Sequence, residues 1–282
     1  MRGEAVAGMD CAEPVRNSTT RLPTLDLFSL AGRVAIVTGG NRNLGLGLSR
    51  GLAGAGAHVL IANRDAEGGA AAAEALRREG WSVAACPTDV SDPAACERMA
   101  AAAADRWGRV DILINNGAVR VDKTAAEHTA ADLDRILGVN VRGVFHACQA
   151  VYPFMRRQGR GRIVNIGSIS ARKGMVRRTS YSASKGAVLA LTRGLAVEWA
   201  ADGITVNSIS PGSIASPDRP ADPASARHKM TLDLIPLGRV SRAEDIVGLC
   251  VFLASDASAY LTGQDVLIDG GWSLVMRPMS MP

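Results

Sequence analysis

Tyr181 and Lys185 lie four residues apart in the run Tyr181-Ser182-Ala183-Ser184-Lys185, with Ser168 thirteen positions upstream. On a helix that spacing puts the phenol and the ammonium on one face, one turn apart. A neighbouring positive charge favours phenolate and lowers a tyrosine pKa toward the range in which an acid/base catalyst works. With a hydroxyl such as Ser168 to polarise a carbonyl, the set suits proton transfer to or from an alcohol oxygen. The matching hydride needs a carrier. A glycine-rich turn, Thr38-Gly39-Gly40-Asn41-Arg42-Asn43-Leu44-Gly45, follows the apolar run Val34-Ala35-Ile36-Val37 and opens a helical segment at 44–54.

That turn has the context of a dinucleotide site. Gly39 permits a tight turn, and Gly45 lets backbone approach a pyrophosphate at a helix amino end, where N–H groups and the dipole attract anions. Asn43 occupies a place where glycine is expected, and asparagine tolerates left-handed backbone better than other residues with a β-carbon. The next strand ends in Ala62-Asn63-Arg64. A reader of NAD would carry a carboxylate near Asn63 for the ribose hydroxyls. Here a neutral side chain is followed by a guanidinium, and Arg42 is also at hand. Two arginines suit a ribose 2′-phosphate, so NADP(H) is expected over NAD(H); a merely solvated Arg64 is the alternative.

The elements that must position these residues are legible as alternation. Apolar runs at 34–37, 59–61, 83–85, 112–114, 163–166, 205–209 and 266–268 read as strands covered on both faces. Segments such as 66–79 and 93–107 are long enough for crossover helices. The expected fold is a single-domain α/β Rossmann type, a doubly wound sheet of seven parallel strands with helices on both faces. The expected catalytic domain is 25–274, between tails at 1–24 and 275–282. Residues 213–235 break the rhythm with Pro217, Pro220 and Pro223, and read as a loop leading into a short helix. It lies beyond a strand's carboxyl end, either as a lid over the substrate or as a surface insertion.

The composition excludes several classes. Hydrophobic residues make up 47% of the 282 positions, yet no uninterrupted apolar run approaches the roughly 20 residues of a membrane span. The apolar stretch at 5–9 is too short for a secretory core, so no membrane contact and a cytoplasmic location are expected. Cys11, Cys86, Cys96, Cys148 and Cys250 form no Cys-x-x-Cys pair and read as reduced thiols. His58, His128, His146 and His228 are isolated, so no metal site is expected. The net charge of +5 is dispersed and aromatics are only 4%, which argues against a nucleic-acid platform.

Taken together with Asp89-Val90, Asn115-Asn116-Gly117-Ala118, Asn140, Pro211-Gly212 and a closing Asp269-Gly270-Gly271-Trp272, the chain from about 30 to 272 resembles the short-chain dehydrogenases/reductases. The resemblance implies that Tyr181 is the general acid/base, that Lys185 holds the nicotinamide ribose, and that Ser168 hydrogen-bonds the substrate oxygen. It implies that Asn140 kinks its helix and holds a water feeding a proton relay to Lys185. Asp89 and Val90 would bind adenine; Asn116, Gly117 and Ala118 would lie under the cofactor; Pro211, Gly212 and Ile214 would flank the nicotinamide. Two departures stand out. The family pattern is Asn-Asn-Ala-Gly, and Ser216 replaces a threonine that contacts the carboxamide. A homodimer or homotetramer through the helices at 140–157 and from Tyr181 is also implied.

The substrate is less legible. Arg172, Lys173, Arg177 and Arg178 lie between Ser168 and Tyr181. Either one or two of them bind an anionic substrate group, or the segment is a solvated or subunit-contact loop. Leu27-Phe28-Ser29-Leu30 and Ile235-Pro236-Leu237-Gly238-Arg239 resemble the gluconate and deoxygluconate dehydrogenase branch. A small sugar-acid or polyol-like hydroxy/keto substrate is expected. An NADPH-dependent 3-oxoacyl reductase and a non-catalytic dinucleotide sensor are the alternatives.

Overall fold

All seven apolar runs become strands: β1 (Val34–Thr38), β2 (His58–Asn63), β3 (Val83–Pro87), β4 (Ile112–Asn115), β5 (Gly161–Ile166), β6 (Ile204–Pro211) and β7 (Asp265–Ile268). The computed structural model describes residues 24–276 apart from 219, 221, 223 and 224. Most of both expected tails, together with Cys11 and Pro223, lies outside the described residues. Every strand pair is parallel, in the order β3-β2-β1-β4-β5-β6-β7. The order reverses between β1 and β4, which opens a crevice at their carboxyl ends.

Side-chain alternation divides the core in two. Val34 and Ile36 of β1 pack on one face with Met99, Val151 and Val188. Ala35 and Val37 pack on the other with Leu48, Leu76 and Ile246. The first face is covered by α3 (Pro93–Trp107), α5 (Gly143–Gln158) and α6 (Thr179–Trp199), and the second by α1 (Asn43–Gly54), α2 (Ala66–Arg78) and α8 (Ala243–Ala254). Short polar signals set the helix ends: Asp92 accepts from Ala94 N at 3.0 Å to start α3, and left-handed Gly108 (φ 78°) ends it. Two shorter helices, α4 (Ala130–Leu137) and α7 (Ala226–Asp233), complete the described set.

The helix expected from about Asn140 is not uniform. A π turn, Gly138–Arg142, joins α4 to α5, with Asn140 fully buried at its centre. The wider turn is the irregularity that brings the Asn140 side chain toward the site. The loop after β6 leads into α7 as expected, and a parallel bridge from Ile214 to Ser241 anchors its first part.

A charge knot fastens the opposite end of the sheet. Asp111, fully buried, accepts from Val34 N at 2.9 Å and takes two bonds from Arg109 at 2.6 and 2.7 Å. Arg33 and Arg160 stand 3.7 and 3.8 Å from it and also reach Asp256. Asp111→Ala orphans a buried N–H and removes the anion these cations share. It is expected to cost about 3–5 kcal/mol in denaturant unfolding while leaving nucleotide affinity unchanged, because the knot is at the far end of the sheet from the crevice.

Candidate active site

The phosphate turn forms where β1 hands over to α1. Gly39 takes φ 62° and Asn43 φ 48°, both left-handed. A β-carbon on Gly45 would overlap the Gly39 carbonyl and the Asn116 amide. The turn is stitched to the end of β4: Asn116 N and Gly117 N each donate to Thr38 Oγ1 at 3.0 Å, and Asn116 Nδ2 donates to Thr38 O and Gly39 O at 3.0 and 3.1 Å. α1 begins with neither a side-chain cap nor an acid in its first turn. Its leading N–H groups are therefore available to an anion.

These residues wall a cleft of about 360 Å³. Gly39, Asn41, Arg42, Asn43, Leu44, Gly45, Asn63, Arg64, Asp89, Val90, Asn116, Gly117 and Ala118 all line it. At one end Asn63 donates to the Asp65 carbonyl. Asp65 also lines the cleft, a carboxylate that the reading of the 62–64 strand end overlooked; its oxygen is engaged as the cap of α2, accepting from Gly68 N at 3.0 Å. The inverted Gly117-Ala118 order is not forced by packing, since a β-carbon on Gly117 would come no closer than 3.4 Å to Thr38 Oγ1. The uncapped helix, the glycine cradle and the paired arginines fit a dinucleotide phosphate. Among the described residues no group of three or more metal-ligating side chains is clustered.

A smaller cavity of about 250 Å³ lies beyond the ends of β5 and β6. Ser168, Tyr181, Gly212, Ser213, Ile214, Met175 and Trp272 line it, with Arg120 and Arg178. Pro211, buried at the end of β6, lines neither cavity. Ser168 follows β5 in extended backbone and accepts from Ser170 N at 3.1 Å. Tyr181 lies in the first turn of α6. Lys185 is buried beneath it, with Nζ donating to Ile166 O at 2.6 Å and standing 5.7 Å from the Tyr181 ring centroid.

The electrostatics differ from the expectation based on spacing alone. Burial raises the Tyr181 pKa above its usual 10; the charge of Arg120, a hydrogen bond with Ser168 and the charge of Arg178 oppose that rise. Burial lowers Lys185 to about 8. Lys185 Nζ donates to the Ile166 carbonyl while standing 5.7 Å from the phenol ring centroid, and Arg120 and Arg178, which spacing alone did not show, add charges that favour phenolate.

Asn140 acts on the scaffold. Its Oδ1 accepts from Val119 N at 2.8 Å, and its Nδ2 donates to Val119 O at 2.9 Å and to Ser184 Oγ at 3.0 Å. Both amide protons are therefore engaged in tying the loop after β4 to α6. Ser184 Oγ in turn donates to the Tyr181 carbonyl at 2.7 Å.

The structure separates the four cations between Ser168 and Tyr181. Arg172 pairs with Asp265 at 2.9 Å, and Lys173 caps the carbonyls of Trp272 and Val275. Arg177, at φ 60°, donates to the Asp122 carbonyl at 2.8 Å. Arg178 alone of the four lines the reacting cavity, 2.9 Å from Asp122. Arg120, which sequence reasoning missed, meets the same carboxylate at 3.0 Å. Its signal was its place two residues past the Asn115–Ala118 strand end.

The family model described as "Enoyl-(Acyl carrier protein) reductase" matches residues 39–273. The chain is 38% identical over 249 residues to a gluconate 5-dehydrogenase of Gluconobacter oxydans, covering 87% of this chain and 96% of that protein. It is 38% identical to a 2-dehydro-3-deoxy-D-gluconate 5-dehydrogenase of Dickeya dadantii, covering 88% and 98%. This chain belongs to the short-chain dehydrogenase/reductase family. A gluconate 5-dehydrogenase of Burkholderia cenocepacia, solved in complex with NADP and tartrate, superposes on this short-chain dehydrogenase with a TM-score of 0.85 at 35% identity, covering 89% of this chain and 99% of that one. The chain is accordingly an oxidoreductase acting on CH–OH groups.

One pH test follows for this short-chain dehydrogenase. Arg120 and Arg178 favour phenolate, so removing either raises the Tyr181 pKa further. The rising limb of kcat against pH for alcohol oxidation should move to higher pH in Arg120→Ala and in Arg178→Ala. A limb that stays in place in both variants contradicts this electrostatic assignment.

Proposed function

We propose that this enzyme transfers a hydride between NADP(H) and the secondary alcohol or ketone of a small sugar acid. The observation that carries the reading is that the phosphate cleft and the Ser168–Tyr181 cavity both lie at the carboxyl ends of the strands and each shares wall residues with one larger cavity, Arg42 and Asn43 from the cleft and Arg120, Arg178, Ser213 and Ile214 from the Ser168–Tyr181 cavity. The dinucleotide, when bound, supplies or takes up the hydride. In reduction Tyr181 Oη gives its proton to the carbonyl oxygen as the carbon receives the hydride; in oxidation the phenolate takes that proton back. Ser168 donates to the same oxygen and steadies its developing charge. Lys185 is assigned to the nicotinamide ribose, as family membership implies, and Asn140 is assigned to holding the Val119 loop against α6. Gly212 and Ile214, which line the cavity, and Pro211 behind them are assigned to the nicotinamide side.

The cofactor choice is supported by Arg42 and Arg64 in the wall of the cleft and by the NADP in the Burkholderia cenocepacia enzyme. The acid substrate is supported by Arg120 and Arg178, two cations that share the one carboxylate of Asp122, and by the names of the relatives. Exposed Phe145 on α5 and Val197 on α6 support pairing of these helices in a homodimer or homotetramer. A cytoplasmic location belongs to the same reading. It is supported by the four free cysteines among the described residues, of which Cys96, Cys148 and Cys250 are pushed up to about 12 by burial and so held as thiols.

Purified enzyme should oxidise NADPH faster than NADH with keto-sugar acids, followed by nicotinamide absorbance. The paired change Arg42→Ala with Arg64→Ala should raise KM for NADPH by roughly tenfold or more and leave KM for NADH in place. Equal use of both nucleotides contradicts the cofactor assignment. Turnover of an acyl thioester but of no keto acid would replace the substrate reading with a 3-oxoacyl reductase.

A further inference from the structure

Asn43 holds left-handed backbone, φ 48°, at a position where the family pattern expects glycine. Glycine would take that conformation without strain, so the side chain must have a use. The structure shows one. Asn43 Nδ2 donates to Asp218 Oδ2 at 2.7 Å, and Asn43 Oδ1 accepts from Ser216 Oγ at 3.1 Å. Both ends of one amide are thus held by one loop, 173 and 175 residues further along the chain. Arg42 reaches the same Asp218 oxygen at 3.7 Å.

The positions of the partners give this contact its meaning. Asn43 opens α1 at the phosphate turn, whereas Ser216 and Asp218 belong to the loop that leaves β6 past the reacting cavity. Arg42 and Asn43 line both the nucleotide cleft and a cavity of about 1000 Å³ that the loop walls. The amide therefore bridges turn and loop across the junction of the two spaces. A 2′-phosphate would compete with Asp218 for the Arg42 guanidinium, since both are anions. With the phosphate bound, the neutral Asn43 amide is the group left to hold Asp218 beside that negative charge.

We propose that Asn43 is a positioning residue, a latch that fastens the loop after β6 to the phosphate turn, so that a bound dinucleotide leaves only after the Asn43–Asp218 contact opens. This rests on the reading of the cleft as the NADP(H) site. Glycine at 43 leaves the turn intact and removes the latch. The Asn43–Asp218 bond is exposed and so is worth no more than an ordinary hydrogen bond, a few-fold to about tenfold in a rate.

The test is stopped-flow release of NADPH, followed by its fluorescence, for wild type, Asn43→Gly, Asp218→Ala and the double variant, with thermal melting of each without nucleotide. Asn43→Gly should speed release about 3- to 10-fold; Asp218→Ala, which also frees Arg42 for the phosphate, should speed it by less, and the double variant should be no faster than Asn43→Gly, because both remove the Asn43–Asp218 contact. Asn43→Asp, which sets two carboxylates face to face, should release NADPH at least as fast as Asn43→Gly. A release rate indifferent to both single changes, or effects that multiply in the double variant, overturns the latch alone. A folded wild type that binds no NADPH overturns the cleft reading and the latch with it.

Discussion

Lys185 is a buried ammonium that donates a hydrogen bond to a backbone carbonyl, Ile166 O, and the geometry of the site depends on that bond. It joins the second turn of α6 to the carboxyl end of β5. Tyr181, one turn earlier on the same helix, and Ser168, two residues past the end of β5, are thereby brought to one cavity. Burial of the charge is unfavourable and depresses the Lys185 pKa to about 8. The chain tolerates it because the surrounding core over-determines the position of α6, with Val188, Leu195 and Ala196 packed against the sheet. Stability is given up locally at this buried charge.

Two chains of buried amides carry this arrangement to the rest of the crevice. Asn115 donates to Asn165 at 2.9 Å, and Asn165 donates to Thr192 at 2.9 Å, which links β4, β5 and α6 through side chains alone. Asn140 does the equivalent for the loop after β4 and the turn of α6 that bears Ser184. Each is hydrogen-bonded within the fold, and paired buried polar groups specify one arrangement more sharply than apolar contacts do. At the rim, Asp122 draws Arg120 and Arg178 together beside the phenol, from segments far apart in sequence.

The strands, α3 and the phosphate turn were legible because their signals are local. A strand buried on both faces is apolar throughout, and Asp92-Pro93 with Gly108 marks both ends of α3. What was not legible depends on partners distant in the chain. Nothing near Arg172 or Lys173 announces that Asp265 and the Trp272 carbonyl would claim them. Nothing near Arg120 announces that the start of α6 lies against it. The π turn at Gly138–Arg142 carries no proline, so the pattern reads through it as continuous helix. Spacing placed Lys185 beside Tyr181, yet it could not show that its Nζ donates to Ile166 O or that Arg120 and Arg178 add further charges that favour phenolate.

The central claim is that one phenol moves the proton that accompanies hydride transfer. Its most direct test is single-turnover mixing of NADPH-loaded protein with a keto acid, comparing wild type with Tyr181→Phe, which keeps the ring and removes only the hydroxyl. The account predicts that the phenylalanine variant binds NADPH as tightly as wild type while hydride transfer slows by roughly 10²- to 10⁴-fold. Transfer at the wild-type rate without that hydroxyl would contradict it.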